Sequence, residues 1–116
     1  MHRYQNLEVW NRAIDLTTMV YELTNEFPDD ERFGLTSQIK RAVVSIASNI
    51  AEGAGRNSDK EFNQFLGYSL GSLSEVETQL IIAEKLKFVK GDLIQTPLEK
   101  ILELKKMTIS LKNKMS

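Results

Sequence analysis

The sequence predicts an all-α fold, an antiparallel up-and-down four-helix bundle formed by one domain over residues 1–116. Three observations lead there. Apolar residues recur at helical spacing from Leu7 to Ala54 and again from Ser58 to Lys114. Only two prolines and six glycines occur among 116 residues, so long helices can run unbroken. No segment shows the alternation of a half-buried strand, and no hairpin dipeptide such as Asn-Gly occurs.

The first helix is expected over residues 7–26. Asn6 is placed as N-cap, and Glu8 lies in the first turn, where the helix dipole favours a carboxylate. Trp10, Ala13, Ile14, Thr17, Val20, Tyr21 and Thr24 form one apolar side, with Val9, Leu16 and Leu23 beside it. Together they cover about half the circumference. Phe27-Pro28-Asp29-Asp30 stops the helix, because proline disfavours helical geometry in the residue before it.

The second helix runs from Leu35 to Ala54, with Gly53 and Gly55 marking its end. Leu35, Ile39, Ala42, Val43, Ile46 and Ile50 make one side, and Val44, Ala47 and Ala51 widen it. The polar groups are squeezed into a stripe of Gln38, Arg41, Ser45, Ser48, Asn49 and Glu52. Such a helix is central to its fold. The stripe reads either as a functional site or as a hydrogen-bond and ion-pair network between helices.

Ser58-Asp59-Lys60-Glu61 matches a capping box and opens the third helix. Its seam is Phe62, Leu66, Ser69, Leu73, Val76, Leu80, Ala83 and Lys87. Those steps of four and three extend over about 25 residues, or near 38 Å. Gly67, Gly71, Ser74 and Thr78 form a separate stripe of small residues, which predicts close approach of another helix, within the chain or from a second subunit. After a turn at Lys90-Gly91-Asp92, a fourth helix begins at Asp92 or Thr96. Thr96-Pro97-Leu98-Glu99, a second capping box with proline at the first helical position, favours a span of Pro97 to Lys114. Its seam is Ile94, Leu98, Ile101, Leu104, Thr108, Leu111 and Met115.

One bundle core needs one stripe from each helix. The first two helices carry more apolar surface than that, which predicts a homo-oligomer.

The residue inventory argues against an enzyme. There is no cysteine, and His2 is the only histidine. A thiolate site, a histidine base and a Glu-x-x-His di-iron bundle are therefore out of reach. Gly53-Ala54-Gly55-Arg56 lacks the Gly-Lys-Ser/Thr ending of a phosphate loop and follows no strand. No cofactor is expected. The longest apolar run, Leu80 to Ala83, is far too short for a membrane span, and no signal-peptide core occurs in the first 25 residues, so a cytoplasmic protein is expected.

The net charge of −1 hides a gradient. Residues 85–116 hold eight lysines against three acidic residues, a local balance of +5. Lys85, Lys87, Lys90, Lys100, Lys105, Lys106 and Lys112 are the candidate nucleic-acid contacts. Lys100, Lys105, Lys106 and Lys112 are expected to line one exposed strip opposite the seam, joined near the turn by Lys85, Lys87 and Lys90. The alternative is that these lysines only solvate an amphipathic helix.

A wider pattern is carried by Leu7-Glu8-Val9-Trp10, then Phe27-Pro28, then Phe33-Gly34-Leu35-Thr36-Ser37-Gln38-Ile39-Lys40-Arg41-Ala42. It continues through Ser45-Ile46-Ala47-Ser48-Asn49-Ile50-Ala51-Glu52-Gly53, Phe65-Leu66, Gly71-Ser72-Leu73 and Glu77-Thr78-Gln79-Leu80. This block resembles the bacterial four-helix-bundle proteins encoded within intervening sequences of 23S rRNA genes, often labelled ribosomal-protein-like. Accessory variability proteins of diversity-generating retroelements look alike in parts of it. The resemblance implies a cyclic homopentamer around a central channel, and the retroelement relatives bind nucleic acid and a reverse transcriptase through strongly basic surfaces; for this chain the charge gradient makes RNA or a nucleoprotein one of two open partner classes. The chain departs from the retroelement proteins in charge: its pI is about 5.9 and only its last third is basic. The other open class is a scaffold that binds a protein partner without nucleic acid.

Overall fold

A computed structural model describes all 116 residues. The chain is all-α, with helices α1 (Glu8–Leu23), α2 (Leu35–Ala54), α3 (Asp59–Lys85) and α4 (Gly91–Lys114). Short 3-10 turns lie at Tyr4–Asn6, Thr24–Glu26 and Asp29–Glu31, and there is no strand. α1 packs on α2 and α4, and α3 packs on the same two helices. Apolar residues of all four helices, with Phe27 and Val89 from the links, form one core of 23 buried side chains, while Lys87 of the expected α3 seam is exposed. The molecule measures 43 × 24 × 19 Å.

α1 departs from expectation at both ends. Its N-cap is Leu7, with no side-chain cap, and Asn6 belongs to the preceding 3-10 turn. Asn11 secures this start, its Nδ2 donating to the carbonyls of Leu7 at 3.0 Å and Gln5 at 3.1 Å. At the far end the α-helix tightens into the turn Thr24–Glu26 three residues before the expected stop. There Thr24 Oγ1 donates to the Tyr21 carbonyl at 2.7 Å.

α2 has the expected bounds, but Gly53 does not act as a stop signal. It lies buried inside the helix. A Cβ there would stand 2.5 Å from Phe65 Cβ and 3.0 Å from Phe62 Cδ1, so the missing side chain is what lets α2 close on α3.

The capping box of α3 forms. The Glu61 backbone N–H donates to Ser58 Oγ at 3.2 Å, and the Glu61 carboxylate accepts from the same hydroxyl. The helix closes with paired bonds from the Phe88 N–H to the Ala83 carbonyl and from the Lys87 N–H to the Glu84 carbonyl, each 2.9 Å. This Schellman arrangement needs a left-handed residue, and Lys87 fills it at φ 64°. A side chain in that region costs about 1–2 kcal/mol. Lys87→Gly is therefore expected to raise stability by up to about 1 kcal/mol, once the added freedom of the unfolded glycine is subtracted. An increase in the urea midpoint checks it.

α4 starts at Gly91, not at Pro97, so the proline stands inside the helix. The small-residue stripe faces outward rather than into the fold. A Cβ at Gly71 would meet nothing within 4 Å, and one at Gly67 only Lys112 Cε at 3.5 Å. Close packing of that stripe against another helix of the same chain is thus excluded.

The N-terminal segment lies over the α2–α3 connection. The His2 N–H donates to the Ala54 carbonyl at 2.7 Å. Its ring lies 5.0 Å from Phe62, and Nε2 is 3.2 Å from Asp59 Oδ1.

Candidate functional site

The seven lysines proposed as nucleic-acid contacts are not equivalent. Lys105 Nζ donates to Glu77 Oε1 at 2.8 Å. Lys112 Nζ donates to Asn63 Oδ1 at 2.7 Å, while Asn63 Nδ2 returns a bond to the Lys112 carbonyl at 2.8 Å. Both lysines are half-buried and clamp α4 to α3. Lys100 lies on the opposite flank, in the α1–α4 cleft with Glu8 and Asp15. In that cleft Arg12 pairs with Glu8 at 2.9 Å and also with Glu103. Lys106 is exposed and unpaired.

The single strip of α4 lysines therefore does not form. Residues seven apart do share a side of a helix, as Lys105 and Lys112 do, but that side is the flank toward α3. Lys106 is rotated about 100° from Lys105, and Lys100 looks toward α1.

Lys85, Lys87 and Lys90 do stand together on the link between α3 and α4. All three are exposed, and none is in an ion pair. Lys85 and Lys87 lie at the C-terminus of α3, where cations complement the helix dipole, and Lys90 is the N-cap residue of α4. The α1–α2 link is beside them, since Phe27 and Phe88 make ring contact at 6.1 Å. That link carries Asp29, Asp30 and Glu31. One end of the molecule thus has an acidic half and a basic half.

The helix-two stripe is mostly solvent-facing. Gln38, Arg41, Ser48 and Glu52 are exposed, while Ser45 and Asn49 are half-buried. Ser45 Oγ is 2.6 Å from both the Ala42 carbonyl and Ser72 Oγ, so it donates to the carbonyl and accepts from Ser72. Asn49 Nδ2 donates to the Ser45 carbonyl at 2.8 Å. Glu52 pairs with Arg56 at 3.0 Å, and Arg56 stacks on Phe65 at 4.8 Å. Arg41 has no charged partner. Of the hydrogen-bond and ion-pair network read as one alternative for this stripe, no ion pair joins it to another helix, and hydroxyl contacts cross from α2 to α3 instead. The second of these is Ser69 Oγ donating to the Ile46 carbonyl at 2.8 Å. Ser69 could be found in the sequence as the one uncharged polar member of the α3 seam. Gln79, which the sequence offers only as part of the Glu77–Leu80 string, is buried, and its Oε1 has no partner.

Apolar surface is exposed where the first two helices were expected to carry a surplus. Ile14, Tyr21 and Val44 are open to solvent, and Trp10 is half-buried beside them. Trp10, Ile14 and Val44 line an α1–α2 groove of about 290 Å³. Ile81, Ile82, Leu102 and Ile109 are also exposed, on α3 and α4. No helix is long and apolar enough to cross a membrane, and no group of three or more His, Cys, Asp or Glu side chains could hold a metal ion.

Residues 5–110 match the family model of the 23S rRNA-intervening sequence protein. The chain belongs to that family. The match spans α1 to α3, α4 as far as Ser110 and the three links between helices, so the Phe33–Gly53 block and the α3–α4 lysines fall inside it. A search of curated proteins found no match to this family member.

Proposed function

We propose that this member of the 23S rRNA-intervening sequence protein family is a non-enzymatic binding module of the cytoplasm. In this reading four antiparallel, up-and-down helices form the subunit, and subunits assemble into a cyclic homo-oligomer, with a pentamer as the expected size. The oligomer contacts phosphates of RNA or a nucleoprotein. The observation that carries this reading is the trio Lys85, Lys87 and Lys90, free of ion pairs on one exposed link, with Lys87 held in a left-handed conformation. Contacts that run in opposite senses along neighbouring helices support the up-and-down order: Ile46 with Ser69 and Gly53 with Phe65 between α2 and α3, and Lys105 with Glu77 and Lys112 with Asn63 between α3 and α4. The exposed apolar groove between α1 and α2 supports self-association.

Lys100 and Lys106 add charge to the same function, whereas Lys105 and Lys112 hold α4 in place. Each subunit of a ring repeats the lysine link, so weak contacts gain strength through effective concentration. Binding to single-stranded RNA is expected to ignore base sequence, and three phosphate contacts give a slope near −2 in log K against log salt. Changing Lys85, Lys87 and Lys90 together to glutamate is expected to abolish RNA retention at low salt and leave helix content unchanged. Filter binding and circular dichroism read the two effects. Retention unchanged by the triple reversal would reject these lysines as the contact.

A protein-binding scaffold is the second reading. Asp29, Asp30 and Glu31 favour it, because carboxylates beside the lysine link repel phosphate and suit a basic protein surface. Pull-down from a native lysate with and without nuclease separates the two readings: loss of the partner on nuclease treatment supports RNA, and its retention supports protein.

A further inference from the structure

Phe33 is 89% exposed, the most solvent-open large apolar side chain in the molecule. It precedes α2, and the Arg32 guanidinium lies 5.3 Å from the centre of its ring. Arg32 has no carboxylate partner despite the acidic residues next to it in sequence. Together they make a projecting knob, apolar and flat on one side and cationic on the other. Aromatic and arginine side chains of this kind are enriched in interface cores.

A groove of matching character lies between α1 and the start of α4. It holds about 290 Å³. Met19, Leu23, Leu93 and Pro97 make its apolar walls, and Glu22 and Glu26 stand on its rim. Leu93 is exposed there, and neither glutamate is in an ion pair.

We propose that the Phe33–Arg32 knob of one copy docks in the α1–α4 groove of a second copy, with Phe33 on the apolar walls and Arg32 against Glu22 and Glu26. The proposal rests on the oligomer reading above and names the contact that builds it. Charge complementarity selects a second copy as occupant, because the chain itself carries both the unpaired cation and the unpaired carboxylates. The knob sits beside α2, whereas the groove belongs to α1 and α4, so the contact is heterologous: knob and groove are different patches. Both lie at the end of the molecule where α1 finishes and α4 starts. Repeated from copy to copy, such a contact builds a ring where the rotation between copies closes.

Light scattering over a dilution series of the full chain tests this. The wild-type chain is expected to be an oligomer. Phe33→Ala, which removes an exposed side chain, is expected to raise the dissociation midpoint about thirtyfold or more, as truncation of an interface anchor does. Arg32→Glu alone, and Glu22→Lys with Glu26→Lys, are each expected to weaken assembly about tenfold. Combining Arg32→Glu with both glutamate changes is expected to restore assembly to within about threefold of wild type. A wild-type monomer would overturn the oligomer reading and this contact with it. A wild-type oligomer that Phe33→Ala leaves unchanged, or charge reversals that do not rescue each other, would overturn the contact alone.

Discussion

Replacing Phe62 with alanine is expected to remove about 3–5 kcal/mol of stability, the largest loss available from one side chain here. Phe62 is fully buried and is the largest side chain in the fully buried set. It sits where α3 begins, under the His2 ring and against the backbone of Gly53. Its removal strips apolar contacts from three segments at once, and the rigid helix ends around it cannot collapse fully into the space. Against a total of about 5–15 kcal/mol for a domain of this kind, the variant is expected to be near its unfolding threshold at room temperature. Urea denaturation followed by circular dichroism measures it. A loss below about 1 kcal/mol would show that Phe62 does not anchor this end of the core.

Gly53→Ala is expected to destabilise by about 1–3 kcal/mol, although alanine is the better helix former by about 1 kcal/mol. The nearest obstacle, at 2.5 Å, is Phe65 Cβ, an atom fixed to the α3 backbone. No rotamer change relieves that contact, so the two helices must separate. Truncating Phe62 to leucine in the same chain is not expected to restore stability, because Phe65 Cβ remains. A Gly53→Ala variant as stable as wild type in urea would mean that α2 and α3 do not approach this closely.

Helix positions were legible in the sequence where local signals and burial agree. α2 has apolar periodicity that runs from Leu35 to Ala54 with Gly55 just beyond it, and the structure has its bounds at Leu35 and Ala54. α4 shows what happens when they disagree. Thr96-Pro97-Leu98-Glu99 is a sound local start signal, and an interior proline costs about 3 kcal/mol. Starting six residues earlier buries Ile94 and Pro97, and one large aliphatic side chain alone contributes about 1.5–3 kcal/mol. Tertiary burial offsets the local penalty, a balance that depends on what lies opposite.

The interaction surfaces were less legible for a related reason. Periodicity separates the buried side of a helix from the exposed side, but it does not say which neighbour lies on either flank. Lys105 and Lys106 are adjacent in sequence, yet one is bound to Glu77 and the other is free. Gly71 looked like a packing residue and is open, while Gly53 looked like a terminator and is a packing residue. Phe33 lay inside the resembling block, but its exposure becomes visible only when the core is seen to be complete without it.

The closed circuit of helix contacts also sets an order on biosynthesis. α1 rests on α2 and on α4, and α4 is the last of the four to be made. While α4 is still on the ribosome, α1, α2 and α3 can pair but have no partner for the apolar side that Ile94, Ile101 and Leu104 finally cover. The nascent chain therefore passes through a three-helix stage with an open core, the kind of surface that chaperones bind and that aggregates at high concentration.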